Sequence, residues 1–257
     1  GIMLSHSVKH YANHNLNLGK KIVLFTNNDY AYQAAIDFKK LNSSTNVTII
    51  DLRNDSKGDL VKEAKFLNIK ILFNHIVTNT RGRKKVNSIS IHKIDENNEI
   101  IGSYGRIKCD LLLMSAGWNP TVHLFTQSKG KLIFRESDAT FIPKKSFQNE
   151  ISVGSCNGTF DLSEILGETF NKMKTIVNES ENNLEESNYI NDFNIKKTFY
   201  DKMKHLWIVP SNIALSKTKM FVDFQNDVTA KDIKLALKEG YNSIEHVKRY
   251  TTTGMAT

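Results

Sequence analysis

Two turns in this sequence carry residue types suited to holding a nucleotide, and they differ in what they offer. The first is Thr26-Asn27-Asn28-Asp29, between the apolar run Ile22 to Phe25 and a helix-spaced set of Ala31, Ala34, Ala35, Phe38 and Leu41. The second is Gly154-Ser155-Cys156-Asn157-Gly158, which follows the strand-like Ile151-Ser152-Val153 and precedes a helix over Leu162 to Val177. In a dinucleotide-binding β-α-β unit, glycines allow the tight turn and the close approach of backbone to pyrophosphate, and an acid about 20 residues on holds the ribose. Asp51, at the end of the strand Val47 to Ile50, stands where that acid belongs. The first turn contains no glycine. Its oxygens could serve a nucleotide or cap the following helix, and Asp29 would repel a phosphate at the positive helix end. The second turn has the glycines and the helix amino terminus that the first lacks, so its N–H groups are the better anion cradle, the alternative being a tight strand-helix connection that binds nothing.

A third small-residue turn, Ser115-Ala116-Gly117, ends the apolar stretch Cys109 to Met114. That pattern indicates a buried parallel strand with a close backbone approach at its carboxyl end, where ligands of open α/β sheets bind and where these residues could pack against the same nucleotide. Trp118 beside it reads as a packing residue and Arg53, after Asp51, as a solvated charge. Tyr30 and Tyr32 read as packing or partner contacts. No nucleophile-base pairing of the kind acyl or phosphoryl chemistry needs is found, and the eight histidines are dispersed. Catalytic residues and metal ligands are therefore expected to be none. Cys109 and Cys156 are too far apart in sequence for a C-x-x-C pair, and Cys156 reads as a small polar contact.

The elements that position these turns follow from periodicity. The chain has 257 residues, more than a typical single domain, so two packed units are expected. A helix is expected from His6 to near Asn15, a second β-α pair through Asp59 to Leu67, a strand over Ile69 to Phe73, and then antiparallel strands at Ile76-Val77, Val86 to Ile94 and Ile100 to Ile107. Turns at Thr80-Arg81-Gly82 and Asp95 to Asn98 separate them into a β-meander. Asn178 to Asn194, rich in Asn, Glu and Ser, reads as a solvated linker. Beyond it, helices over Ala230 to Glu239 and Ser243 to Arg249, with Thr229 as N-cap and Gly240 past the first helix, form a small module.

The net charge of +8 comes from 35 basic and 27 acidic residues that are scattered, with short runs such as Arg81 to Lys85. Nucleic-acid binding is not expected. No apolar stretch reaches the length of a membrane span, no signal segment opens the chain, and the cysteine usage fits a reducing, cytoplasmic location. Neither Gly1-Ile2-Met3 nor Gly254 to Thr257 looks like a natural terminus, so a longer polypeptide is expected.

Taken together, Gly19 to Tyr32, Thr80 to Lys84, Ser115 to Leu124 and Phe221 to Thr257, with its Val222-Asp223-Phe224-Gln225-Asn226-Asp227-Val228-Thr229 and Lys248-Arg249-Tyr250-Thr251-Thr252, resemble the alpha subunit of heterotetrameric sarcosine oxidase. The resemblance implies a Rossmann-like α/β fold of the two-dinucleotide flavoprotein type with a β-meander. It also implies a small helical module like the iron-sulfur domain of bacterioferritin-associated ferredoxin type. That module would lack its cluster, because Phe221 and Asp223 stand near where the first cysteine pair would be and Phe221 and Tyr250 would fill the space as core. The implied units are a lead-in (1–19), an inserted NAD-type domain with the meander (20–107), a return segment of the first nucleotide-binding domain (108–178), a linker (179–217) and the module (218–257).

The implied function is oxidative demethylation of sarcosine to glycine by a whole complex that yields hydrogen peroxide and 5,10-methylenetetrahydrofolate, this part binding a dinucleotide and joining subunits. NAD is the implied cofactor here, since the Gly154 to Gly158 loop lacks the aspartate that usually holds FAD. FAD and FMN would sit in a partner subunit, tetrahydrofolate in a later domain, and the beta, gamma and delta subunits would be partners. The alternatives are the alpha subunit of a related proline, hydroxyproline or opine dehydrogenase, and a degenerate scaffold without nucleotide.

Overall fold

The computed structural model describes residues 1–14, 19–180, 195 and 197–255. Its centre is a parallel sheet built from β1 (Ile2–Leu4), β2 (Lys21–Thr26), β3 (Asn46–Asp51), β4 (Lys70–Phe73) and β8 (Leu111–Ser115), in the order β1-β8-β2-β3-β4. Strand alternation decides what each face touches. Ile22 and Leu24 of β2, Val47 and Ile49 of β3, and Leu111 and Leu113 of β8 pack against α2 (Tyr32–Leu41) and α3 (Asp59–Phe66). Their neighbours Val23, Ile50 and Leu112 point the other way, onto Val86, Ile89 and Ile91 of the antiparallel meander β5 (His75–Gly82), β6 (Val86–Ile94) and β7 (Ile100–Lys108). Burying each such side chain is worth about 1.5–3 kcal/mol, so a sheet covered on both faces is the stable arrangement for these apolar strands.

The Rossmann-like α/β fold and the meander thus form as expected. Three boundaries move. The hairpin turn falls at Arg83-Lys84-Lys85, with Gly82 paired to Val86, because Thr80 to Gly82 continue the ladder. The expected division between 107 and 108 cuts through one sheet: β8 pairs with β2, Thr26 opposite Ser115, so that strand belongs to the same sheet as the inserted unit. Ile151 to Val153, expected as a strand, has no ladder partner among the described residues, and Gly154–Asn157 form a 3-10 turn before α5 (Leu162–Ser180). The first helix, α1, spans Ser5–Asn13; its expected end at Asn15 lies outside the described residues.

A hairpin of β9 (Lys131–Arg135) and β10 (Thr140–Lys145), not anticipated from the sequence, follows the short helix α4 (His123–Gln127), with Phe134 and Phe141 5.1 Å apart across it. Of the expected linker, residues 181–194 and 196 lie outside the described residues. Residues 199–204 do not lie free in solvent: they dock on the carboxyl edge of the large sheet.

The final module comprises β11 (Phe221–Asp223), β12 (Val228–Thr229), α6 (Ala230–Lys238) and α7 (Ile244–Thr251). Thr229 caps α6 as expected, in a capping box where the Asp232 carboxylate accepts from the Thr229 N–H at 2.8 Å. Gly240, at φ +94°, takes the left-handed turn past that helix. Thr229→Ala is expected to cost the module about 1 kcal/mol, seen as faster amide exchange across α6 with the exchange of the five-stranded sheet unchanged.

Candidate functional site

The carboxyl edge of the sheet is built around a buried cation. Arg53, read from sequence as a solvated charge, is buried between two carboxylates: its guanidinium lies 2.7 Å from Asp29 and 2.7 Å from Asp51. Burial works against its charge, but the hydrogen bonds and charges of Asp51 and then Asp29 outweigh it and hold its pKa above the ordinary arginine value. Asp51 also accepts from the Tyr32 hydroxyl at 2.6 Å and the Arg53 N–H at 2.9 Å, and is fully buried. Burial, and then Asp51, pushes the Tyr32 phenol far up. Asp29 accepts from Ser56 at 2.9 Å, and a Cβ on Gly58 would stand 2.0 Å from its carboxylate, so only glycine fits there.

This geometry corrects the reading of the first turn. Asp51 has its oxygens committed to Arg53 and Tyr32 and is not presented to a ribose. Asn28 Oδ1 accepts from the Ala31 N–H at 3.3 Å in the turn ahead of α2, and Thr26 Oγ1 accepts from the Asn28 N–H at 3.2 Å. Asn27 is bonded to Lys204 through both backbone and side chain. The helix-capping alternative, open from sequence, does not form either: the N-cap of α2 is Ala31, which has no side-chain cap, and the side chains of the turn bond within the turn and to distant segments.

The second turn is placed differently. Gly154 and Gly158 adopt φ of +66° and +77°. The Gly154 N–H donates to Glu168 Oε2 at 3.0 Å and Asn157 donates to the other oxygen of the same carboxylate at 2.5 Å. The amino end of α5 is already capped, Asp161 accepting from the Glu164 N–H at 3.2 Å, so the helix terminus counted on from sequence faces a carboxylate of its own. Ser155 and Cys156 are exposed at the start of the 3-10 turn, where N–H groups have no partner within the turn.

Beside these turns lies one cleft of about 240 Å³; of the residues singled out as nucleotide contacts only Gly158 lines it, while Tyr30, Trp118 and Phe160, each just outside one of the three turns, form walls. Tyr200 stacks on Tyr30 with ring centroids 4.2 Å apart, and burial pushes the Tyr30 phenol up to about 12. Trp118 packs edge-on against His6 at 4.4 Å, and its buried indole N–H has no partner among the described residues. Arg135 closes the floor by donating to the Gly158 carbonyl at 2.8 Å while pairing with Asp138. Gly117, at φ +114°, lies against Met203. Sequence reasoning missed Arg135, Tyr200 and Met203; the alternation of Leu132 and Phe134 ahead of Arg135 could have revealed the hairpin, whereas nothing local marks residues 199–204 as part of a site.

In the small module, Asp223 collects four donors: the N–H groups of Gln225 (2.9 Å), Asn226 (3.1 Å) and Gly254 (2.8 Å) and the Asn226 side chain (2.9 Å). The Asn226 side chain, then the Gly254 amide, lower its pKa to about 2. A hydrogen-bonded carboxylate thus ties the β11 turn to the chain after α7. Phe221 is half-buried and stacks with Phe224 at 5.3 Å; Tyr250, expected as core, is instead largely exposed and leans on Tyr241 at 4.8 Å.

Comparison with known proteins places this architecture. Residues 217–257 match the model of the sarcosine oxidase A3 domain. All of the chain aligns with the sarcosine oxidase subunit alpha of Rhizobium meliloti (strain 1021), 30% identical over 272 residues, and with that of Corynebacterium sp. (strain P-1), 28% identical over 264 residues. End to end, the chain is similar to part of a sarcosine oxidase alpha subunit. It spans only 24% and 26% of the length of those two relatives. Among solved structures, L-proline dehydrogenase from P. horikoshii superposes with a TM-score of 0.52 at 18% identity, over 91% of this chain and 40% of that one, which supports the fold. No helix of the described residues is long and apolar enough to cross a membrane.

Two outcomes test the chemistry of this edge and of the small module. Arg53→Met leaves two buried carboxylates without their cation and is expected to cost about 3–5 kcal/mol, measured as a lower urea midpoint. In the module, the Gly254 amide proton shift should titrate with a midpoint of about 2. Because the folded pKa is depressed, Asp223 contributes its full stabilisation above the ordinary carboxylate range and loses it as pH falls through about 2. Asp223→Asn should abolish that titration.

Proposed function

We propose that this chain is the nucleotide-binding portion of the alpha subunit of a multi-subunit sarcosine oxidase, an oxidoreductase acting on the CH–NH group of its donor. The similarity of this whole chain to 26% and 24% of the length of two such alpha subunits carries the reading. The whole complex would demethylate sarcosine to glycine, with hydrogen peroxide and 5,10-methylenetetrahydrofolate as the other products. FAD and FMN would belong to a partner subunit, tetrahydrofolate to a later domain of the alpha polypeptide, and the beta, gamma and delta subunits would be its partners.

Within this chain the dinucleotide is assigned to the cleft between Tyr30, Trp118 and Gly158. The residues suit a group with a flat ring and a polar tether: aromatic faces from Tyr30, Tyr200, Trp118 and Phe160, an indole N–H without an acceptor among the described residues, and the Ser155 and Cys156 amides of the 3-10 turn. At about 240 Å³ the cleft receives one ring-bearing end, leaving the rest along Ser155 and Cys156. When bound, NAD would supply either hydride chemistry or a structural anchor. The chain's own residues orient it: Arg135 fixes the Gly158 carbonyl, Glu168 holds the Gly154 amide, and Tyr30 with Tyr200 presents a stacking face. NAD is favoured over FAD because Ser155, Cys156 and Asn157 include no carboxylate for a ribityl chain.

A scaffold reading draws support from one observation, the commitment of Asp29 and Asp51 to Arg53. Purifying the full-length alpha polypeptide with its co-encoded partners and identifying every nucleotide released on denaturation separates the two. NAD released alongside flavins is expected, with the NAD content reduced severalfold by Gly158→Ala, whose Cβ would stand 2.6 Å from Arg135. Flavins without NAD would establish the scaffold reading. Oxidation of proline, hydroxyproline or an opine by the purified complex, with no sarcosine-dependent peroxide formation, would favour the related amine dehydrogenases.

A further inference from the structure

The crevice at the carboxyl ends of β2 and β3, where an open α/β sheet binds its ligand, is filled by residues 199–204 of the same chain. This strap crosses the edge in one direction. The Phe199 N–H donates to Asp59 Oδ2 at 3.0 Å and its carbonyl accepts from the Asp59 N–H at 2.9 Å. The Asp201 N–H then donates to Asp29 Oδ2 at 2.6 Å, while its carboxylate accepts from the Lys57 N–H at 2.8 Å. Farther along, the Lys202 carbonyl faces Arg53 at 3.4 Å, and Lys204 pairs with Asn27, N–H to carbonyl at 3.3 Å and carbonyl to side-chain amide at 2.9 Å. Its path runs from the start of α3, past the end of β3, to the turn after β2 and on to Gly117, against which Met203 rests.

We propose that this strap is the resident ligand of the crevice, so that the inserted unit recognises a backbone segment of its own chain in place of a dinucleotide. Donor and acceptor chemistry decides it. A pyrophosphate offers only acceptors and needs N–H donors aimed at it. Here the edge presents carboxylates outward, Asp29 Oδ2 and Asp59 Oδ2, which repel phosphate and match peptide N–H groups. The donors that the edge does provide, from Lys57, Arg53 and Asn27, are met by the Asp201 carboxylate and the strap's carbonyls. The Asp201 carboxylate occupies the anion position, and the Lys57 amide followed by that of Lys202 lowers its pKa. Tyr200 continues the recognition by stacking on Tyr30. The assignment stands whether or not a nucleotide occupies the neighbouring cleft at Gly158.

Amide hydrogen exchange on the full-length polypeptide in its native complex tests the assignment. Segments 57–59 and 199–204 are expected to be protected, and when NAD, NADP or FAD is added at saturating concentration the exchange of 57–59 to stay the same and that of 199–204 not to rise. In Asp201→Ala both segments should exchange about tenfold faster, because one side of the dock is removed. Faster exchange across 199–204 on adding a nucleotide would make the strap a lid over a working site and overturn the proposal. Exchange of 199–204 at the rate of an unstructured chain, or unchanged exchange in Asp201→Ala, would overturn it too. Should the variant fail to fold, the comparison of the unmutated protein with and without nucleotide still decides between strap and lid. Because Tyr200 to Met203 also line the Gly158 cleft, nucleotide bound there slows exchange of 199–204 without speeding it, and segment 57–59, which does not line that cleft, reports on the dock alone.

Discussion

A buried guanidinium between two carboxylates is the constraint from which the carboxyl edge of this protein follows. One Arg53 cannot neutralise both Asp29 and Asp51, so the remaining lone pairs must meet neutral donors within the fold. The Tyr32 hydroxyl reaches Asp51 from α2, Ser56 reaches Asp29 from the loop before α3, and the Asp201 amide reaches Asp29 from the docked strap. Each of these comes from a different element, so the cluster sets where α2 starts, how the β3–α3 loop turns at Gly58, and which stretch of the later chain returns to the sheet. A nucleotide site at the same edge would need donors where this cluster offers acceptors.

The second turn works by a different balance. Glu168 and Asp161 satisfy the loop and the amino end of α5 internally. What the cleft then offers is shape and aromatic surface, from side chains contributed by the first turn, the turn after β8, the loop after Gly158 and the strap. Tyr30 and Tyr200, 170 positions apart in sequence, stack at 4.2 Å to make one of its walls. The strap therefore has two faces with different roles: backbone and carboxylate toward the sheet, Tyr200 and Met203 toward the cleft. The small module shows a related arrangement, where one carboxylate, Asp223, accepts from the N–H groups of a turn and of the chain end and so joins them.

The elements were largely legible in the sequence. Period-2 and period-3.6 patterns locate β2, β3, β6, α2, α3 and α5 to within a few residues, and the Thr229 and Gly240 signals bound α6 as the structure has it. The hairpin β9–β10 was not read because its alternation is short and its strands remain half-exposed, so the pattern barely rises above that of a loop. Ile151 to Val153 shows the opposite error, since an apolar triplet has strand character but becomes a strand only where a ladder partner is at hand.

For the site, composition alone determined that the first turn lacks glycine, that Asp51 ends the second strand of the unit, and that the second turn has glycines at both ends. Those facts follow from residue type, which no fold can alter. Whether Asp51 meets a ribose or an arginine, and whether Asn27 meets a phosphate or Lys204, depends on which distant segment arrives at the edge. The tertiary structure decided that, because a buried charge must be matched by whatever donors the folded chain brings within hydrogen-bond reach, and those donors lie up to 172 residues away.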